Sequence, residues 1–272
     1  MADTYAFTFS LEELVLLMRI ADLPALASLP ANPFEGVSEE RALGALAAAE
    51  RSLRARGFLQ PQGPEKPFAV YSPVLALIGT CKLARAIAMV IAQPDDQPTD
   101  ARYYYVSPYM AVEHAFPDEG LHRFTGAPSI DDLADPIKQF LHLDGQQALD
   151  ALPAGSLAPT AMEAARNAAS AEVAFQTLID QDVPEALAQP LSQSFVHPVC
   201  VGTVSVSVPD TPNPRRNAGL IVDQRTVWLL EQEHSDGPFR VVSISAQDAI
   251  RRVCDLMRPP AGDAQGSDGR NQ

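Results

Sequence analysis

Apolar residues follow Ser10 at helical spacing, at Leu11, Leu14, Val15 and Met18, and SLEE places Glu13 three residues after Ser10. That pattern predicts a helix opened by a capping box and ended by Pro24. Residues 21–37 read as a proline-rich connector. Ser38 caps a second helix with Glu39 and Glu40 in its first turn, where the helix dipole favours anions. Leu43, Leu46 and Leu53 share its apolar face, and Gly57 is a natural stop. Residues 60–73 contain four prolines and predict a loop or short strand. Val74–Ala92 reads as a third helix, followed by an exposed break at QPDDQPTD. The period then drops to two. Arg102–Phe116 predicts a strand, PDEG a turn, and Leu121–Phe124 a returning strand. Ser129–Leu143 is helical in pattern, although Pro136 disturbs its middle and makes Asp135 an alternative cap.

The second half begins with a linker-like segment, 144–159. Ala161–Ile179 reads as one alanine-rich helix and Pro184–Ser192 as a short one. Val196–Val208 alternates and is β-branched, as a strand requires. A long loop, PDTPNPRRN, separates it from strands at Leu220–Val222, Val227–Glu231 and Phe239–Ile244. Ser245–Met257 predicts a capped amphipathic helix. The polar, glycine-rich tail from Pro259 predicts disorder.

Two stretches share one order: a strand ending in Glu-His, a turn, a strand containing Phe and Arg, and a Ser-capped helix. Glu113-His114 and Glu233-His234 mark the strands, and Ser129 and Ser245 the caps. Each block follows a helical block. The expected fold class is therefore α+β, with two quasi-repeated halves, each with helices packed on a mainly antiparallel sheet. The expected division is an N-terminal α+β half at 1–143, with winged-helix-like helices before its hairpin and helix. A C-terminal α+β half follows at 144–258, and a disordered tail at 259–272.

Charge narrows the function classes. The chain of 272 residues carries a formal net charge of −14, which repels nucleic acid and anionic membrane. Its 24 prolines against only 15 glycines suggest many ordered turns and short elements rather than a flexible chain. Three cysteines, with no CxxC, cannot close a disulfide framework, and this fits a reducing compartment. No basic, apolar leader and no long apolar stretch is present. The reading is a cytoplasmic protein with no membrane and no nucleic-acid partner.

No catalytic motif appears: GxSxG, HExxH and a glycine-rich phosphate loop are all missing. Glu113, His114 and His122 approach across a hairpin as a candidate metal set, but no further ligand has zinc spacing, and surface polar residues beside a turn are the stronger reading. Asp131, Asp132 and Asp135 sit where a helix start wants acids. Cys81, Cys200 and Cys254 have apolar neighbours and read as inert core. Tyr103, Tyr104 and Tyr105 alternate, so at least one faces away from the core. The expectation is no enzyme, no metal and no cofactor.

The helix 38–57 followed by a β-like segment has the outline of a winged-helix module. Arg41, Arg51, Arg54 and Arg56 share it with Glu39, Glu40 and Glu50, which makes a salt-bridged face rather than a phosphate-binding stripe. A winged-helix transcriptional regulator is the alternative function. The same region resembles the EspG family, the cytosolic chaperones of type VII secretion. The residues that carry the resemblance are Ala21-Asp22-Leu23-Pro24 after the first helix, Leu53-Arg54-Ala55-Arg56-Gly57-Phe58 closing the second, and Pro73 to Ala92 beyond. The chain departs from the family in its long 209–215 loop and in lacking an arginine-rich middle. The resemblance implies an α+β adaptor that binds a helical secretion substrate and performs no catalysis. It also implies contact through a sheet loop and the C-terminal helices, here near Met162, Arg166 and Phe175.

The 209–217 loop is long for a hairpin and sets Arg215 and Arg216 side by side on an acidic body. Such a tip would steer an acidic partner. The expected function is a non-catalytic cytosolic adaptor or chaperone for a helical protein partner, with Arg215, Arg216, Met162, Arg166 and Phe175 as its partner-binding residues.

Overall fold

The computed structural model describes residues 4–23, 26–63, 68–149, 152, 154–209, 216–232 and 237–259. The chain opens with strand β1 (Tyr5–Ser10), helices α1 (Leu11–Ile20) and α2 (Glu39–Ala55), a small hairpin of β2 (Leu59–Pro61) and β3 (Phe68–Val70), and helix α3 (Ser72–Lys82). Four strands follow: β4 (Ala86–Pro94), β5 (Asp100–Val106), β6 (Ala111–Ala115) and β7 (Leu121–Ala127). A 3-10 turn at Asp131–Leu133 leads into α4 (Ala134–Phe140). The order then recurs as β8 (Gly155–Leu157), α5 (Pro159–Arg166), α6 (Ala171–Ile179), α7 (Glu185–Val196), β9 (Cys200–Ser207), β10 (Arg216–Val222), β11 (Val227–Glu231), β12 (Phe239–Ile244) and α8 (Ala246–Met257). The protein is α+β, as its hydrophobic pattern predicts.

Ten strands form one sheet in the order β1-β7-β6-β5-β4-β9-β10-β11-β12-β8, with antiparallel pairing throughout. Tyr104 pairs with Glu113 in the first meander and Leu220 with Leu229 in the second, each displaced by 116 positions (220 − 104 = 229 − 113 = 116). The pairs Ala88↔Tyr104 and Gly202↔Leu220 carry that correspondence to the centre. There Val90 and Val204 correspond, and they pair with each other across the β4–β9 seam, as a local twofold requires. The Glu-His markers do not follow this register. Glu113 and His114 lie in β6 and correspond to Leu229 and Leu230, while Glu233 and His234 lie outside the described residues.

Strand alternation divides the core by face. One face carries Ala86, Ala88, Val90, Tyr104, Val204, Leu220 and Leu229, closed over by α4 and α8. The opposite face carries two separate cores. Phe9, Tyr105, Val112 and Phe124 lie under α1–α3, and Ile221, Trp228, Leu230 and Val241 lie under α5–α7. Small side chains on β4 let the first face's helices approach. Ala88 is fully buried, so Ala88→Leu should overpack that core and cost about 1–3 kcal/mol in a urea titration.

Several elements differ from the sequence pattern. Val74–Ala92 is not one helix: α3 stops at Lys82, and the rest is β4. Alanine favours helix, but β4 sits at the centre of the sheet with a ladder on each side, and tertiary pairing overrides propensity. Arg102–Phe116 is two strands, because Ser107 Oγ accepts the Tyr109 and Met110 N–H groups (both 3.2 Å) and turns the chain. Ala161–Ile179 is two helices, with Ser170 Oγ capping the second at Val173 N–H (3.3 Å). The helix read from Ser129 starts as a 3-10 turn, and Pro136 lies in the first turn of α4, where its missing N–H costs nothing. Strand β1 was not anticipated; it pairs Phe7 with Phe124 and Phe9 with His122. The tail from 260 and most of the 209–217 loop fall outside the described residues.

Candidate functional site

On the face that carries the two separate cores, helices gather towards the ends of the sheet. The strip along β4 and β9 between them stays partly exposed. Ile87, Met89, Ile91 and Val201 are half-buried there, and Thr203 is exposed. Their neighbours on the other face, Ala88, Val90 and Val204, are fully buried. Tyr103 pairs with Met89 and extends the strip onto β5, and Gly219 pairs with Thr203 and extends it onto β10. Gly219 contributes no side chain, which deepens the floor.

Helix α5 forms a wall of this trough. Met162 and Arg166 lie one turn apart on α5 and line a groove of ≈ 170 Å³ with Thr203, Gly219, Leu230 and Phe239. Phe175, on α6, packs instead against the core beneath α5–α7. Arg216 opens β10, and its Nη2 donates to the Arg258 carbonyl (2.8 Å), at the end of α8 on the opposite face. Partial burial, with Arg252 nearby, holds its pKa below the usual arginine value. Arg215 lies outside the described residues. The structure therefore brings Met162 and Arg166 together and does not bring Arg216 to them. The strip of Ile87, Met89 and Ile91 was not visible in the sequence.

The candidate metal set does not converge. Strand alternation sends Glu113 to one face, where it accepts from Arg102 Nη1 (3.1 Å) and Tyr104 Oη (3.0 Å). His114 goes to the other face. Its Nδ1 meets Ser28 Oγ (2.7 Å) and its Nε2 meets His122 Nδ1 (3.0 Å), while Ser28 Oγ also meets Tyr105 Oη (2.8 Å). The chain Tyr105–Ser28–His114–His122 can run in either direction with both imidazoles neutral. It ties the 21–37 connector to the sheet. His114 stacks on Phe124 at 4.2 Å between ring centres. Burial, assisted by His122, pushes its pKa down to about 3. Burial also lowers His122, against the opposing pull of Glu12.

The arginines that end α2 are engaged within the fold. Arg54 pairs with Glu50 (3.4 Å), while Arg56 pairs with the buried Glu13 (2.9 Å) and donates to Thr8 O (2.7 Å). Glu13 also accepts from Ser10 N–H and Ser52 Oγ, so this cluster locks α1 to α2. The three cysteines are buried and free. Burial pushes Cys81 far up and Cys200 and Cys254 to about 11, which keeps the thiols protonated at neutral pH. Among the described residues no helix is long and apolar enough to cross a membrane.

No protein-family model matches the chain, and no curated protein matches it. Among solved structures, the fold is similar to one found in the Mycobacterium tuberculosis type VII secretion system chaperone EspG5 in complex with the PE25–PPE41 dimer. The TM-score is 0.63 at 12% identity, covering 95% of this chain and 98% of that one. The resemblance to EspG read from short sequence motifs thus has a counterpart in the fold, across nearly the whole chain.

Proposed function

We propose that the protein is a non-catalytic cytoplasmic adaptor or chaperone that holds a helical protein partner, a secretion substrate, in the trough over β4 and β9. The observation that carries this reading is the half-exposed apolar strip of Ile87, Met89, Ile91 and Val201 between two helical layers. Strands lie about 4.8 Å apart. A strip two to three strands wide therefore matches a helix of about 10–12 Å diameter. Met162 offers an adaptable apolar contact at the wall, and Arg166 a cation at the rim. Arg166 and Arg215 would orient an acidic partner on a body of net charge −14. The fold shared with EspG5, a chaperone solved with a PE–PPE dimer, supports the same reading. The correspondence of the two meanders supports two quasi-repeated halves, 1–143 and 144–258, that meet at this trough.

The test is co-elution on a sizing column with a helical PE–PPE-type dimer from the same source. Wild type should form a complex. Thr203→Trp fills the trough from an exposed position and should abolish the complex while keeping the thermal midpoint. A complex unaffected by Thr203→Trp would move the partner elsewhere.

A further inference from the structure

On the opposite face, the two meanders differ at corresponding positions. Ala218 and Leu229 lie in the apolar core beneath α8. Their counterparts 116 positions earlier are Arg102 and Glu113, an ion pair. The covering helices differ as well: α8 has 12 residues and α4 has 7. Over the uncovered part of the first meander lies a cavity of ≈ 530 Å³, within the range that holds a small organic ligand.

Stability does not account for the exchange. Desolvating an ion pair where an apolar pair would fit is at best neutral. Local departures from the packing rule concentrate at functional sites. The lining also has a consistent chemistry. Phe116 and Phe140 offer aromatic surface, with Pro94, Pro98, Pro117 and Pro136 as rigid walls. The Arg102 guanidinium stacks over Phe140 at 4.2 Å, and its Nε–H is buried without an acceptor among the described residues. Arg123 stands exposed at the cavity, on the same face of β7 as Thr125. Glu113 already accepts two donors on one oxygen, and Asp100 accepts from Ala101 N–H. What the cavity lacks is an anion for its two arginines and a flat apolar body for its aromatic walls.

We propose that this cavity binds a small aryl carboxylate, with the ring between Phe116 and Phe140 and the carboxylate between Arg102 and Arg123. A guanidinium pairs with a carboxylate through two parallel N–H···O bonds, which sets both affinity and orientation. On an acidic protein only this local pair of cations attracts the anion.

The probe is 4-fluorophenylacetate, followed by fluorine NMR line broadening on the full-length chain, with 4-fluorophenylacetamide as the neutral control. The acid should bind at least tenfold tighter than the amide. Arg123→Gln, at an exposed position that leaves the fold intact, should weaken the acid at least tenfold and leave the amide unchanged. Arg102→Lys, which keeps the charge and removes the planar fork, should do the same. A competing tripeptide ending in Phe distinguishes the source. Displacement by its free acid and not by its C-terminal amide assigns a peptide terminus, and no displacement assigns a free acid. Either result requires the carboxylate. Equal binding of acid and amide, or acid binding unchanged in both arginine variants, would overturn the proposal.

Discussion

Lowering the pH from 6.5 to 4.5 should destabilise wild type by about 2–3 kcal/mol more than a His114→Phe variant. In the folded chain His114 is buried on Phe124 and bonded to Ser28 and His122, with its pKa held near 3; in the unfolded chain it titrates near its ordinary value of 6.5. Between those values the unfolded state binds the extra proton, so stability rises with pH and is lost as pH falls. The contribution is complete above 6.5 and vanishes below about 3. His122 shifts in the same direction, and Glu12 opposes it. Carboxylates common to both proteins cancel in the comparison. The variant should be less stable than wild type at pH 7, because His122 and Ser28 each lose a partner. Its urea midpoint should nevertheless depend less on pH. Parallel pH profiles for the two proteins would show that His114 is solvated rather than locked.

Trp228→Ala should cost about 3–5 kcal/mol and leave the C-terminal half the first to unfold. Trp228 is fully buried beneath α5–α7, in the core with Leu187, Leu191 and Phe195 of α7. Its Nε1–H donates to Ser194 Oγ (2.8 Å), and Ser194 donates in turn to the Asp223 carboxylate. The other Asp223 oxygen accepts from Arg225 N–H (2.6 Å) and Thr226 N–H (2.8 Å), which builds the turn between β10 and β11. One indole therefore ties a helix to a turn through a fully satisfied buried network. The change removes the largest side chain of this core and leaves Ser194 short of a donor. Hydrogen exchange should show lost protection in α7 and β11 before α1 and β7. Uniform loss across both halves would mean that the sheet unfolds as one unit.

How much of this was legible depends on whether local chemistry or pairing decided each element. Ser10, Ser38 and Ser245 were readable as caps, and each accepts the expected backbone N–H, because capping is decided within four residues. The period-two stretches became strands, and that same alternation already placed Glu113 and His114 on opposite faces. The failure at Val74–Ala92 was costly for the site. Ala-Ile-Ala-Met-Val-Ile-Ala reads as helix by composition, and only its two ladder partners make it a strand. With β4 hidden, its half-exposed face was hidden too. Met162 and Arg166 were reachable because a helix presents residues four apart on one side. The Arg102–Glu113 pair, 11 positions apart, had no sequence signal beyond two charges in apolar strands.

The central claim is that a helical partner lies along β4 and β9. The most direct measurement places the photo-crosslinking residue benzoylphenylalanine at Thr203, which is exposed on the trough floor, and in a second protein at Ala48, on the exposed side of α2. Both are irradiated in the source cells, and the adducts are identified by mass spectrometry. The account predicts one dominant adduct at Thr203, to an α-helical segment of a secreted protein, and none at Ala48. An adduct confined to Ala48, or a Thr203 adduct to a non-helical segment, would contradict it.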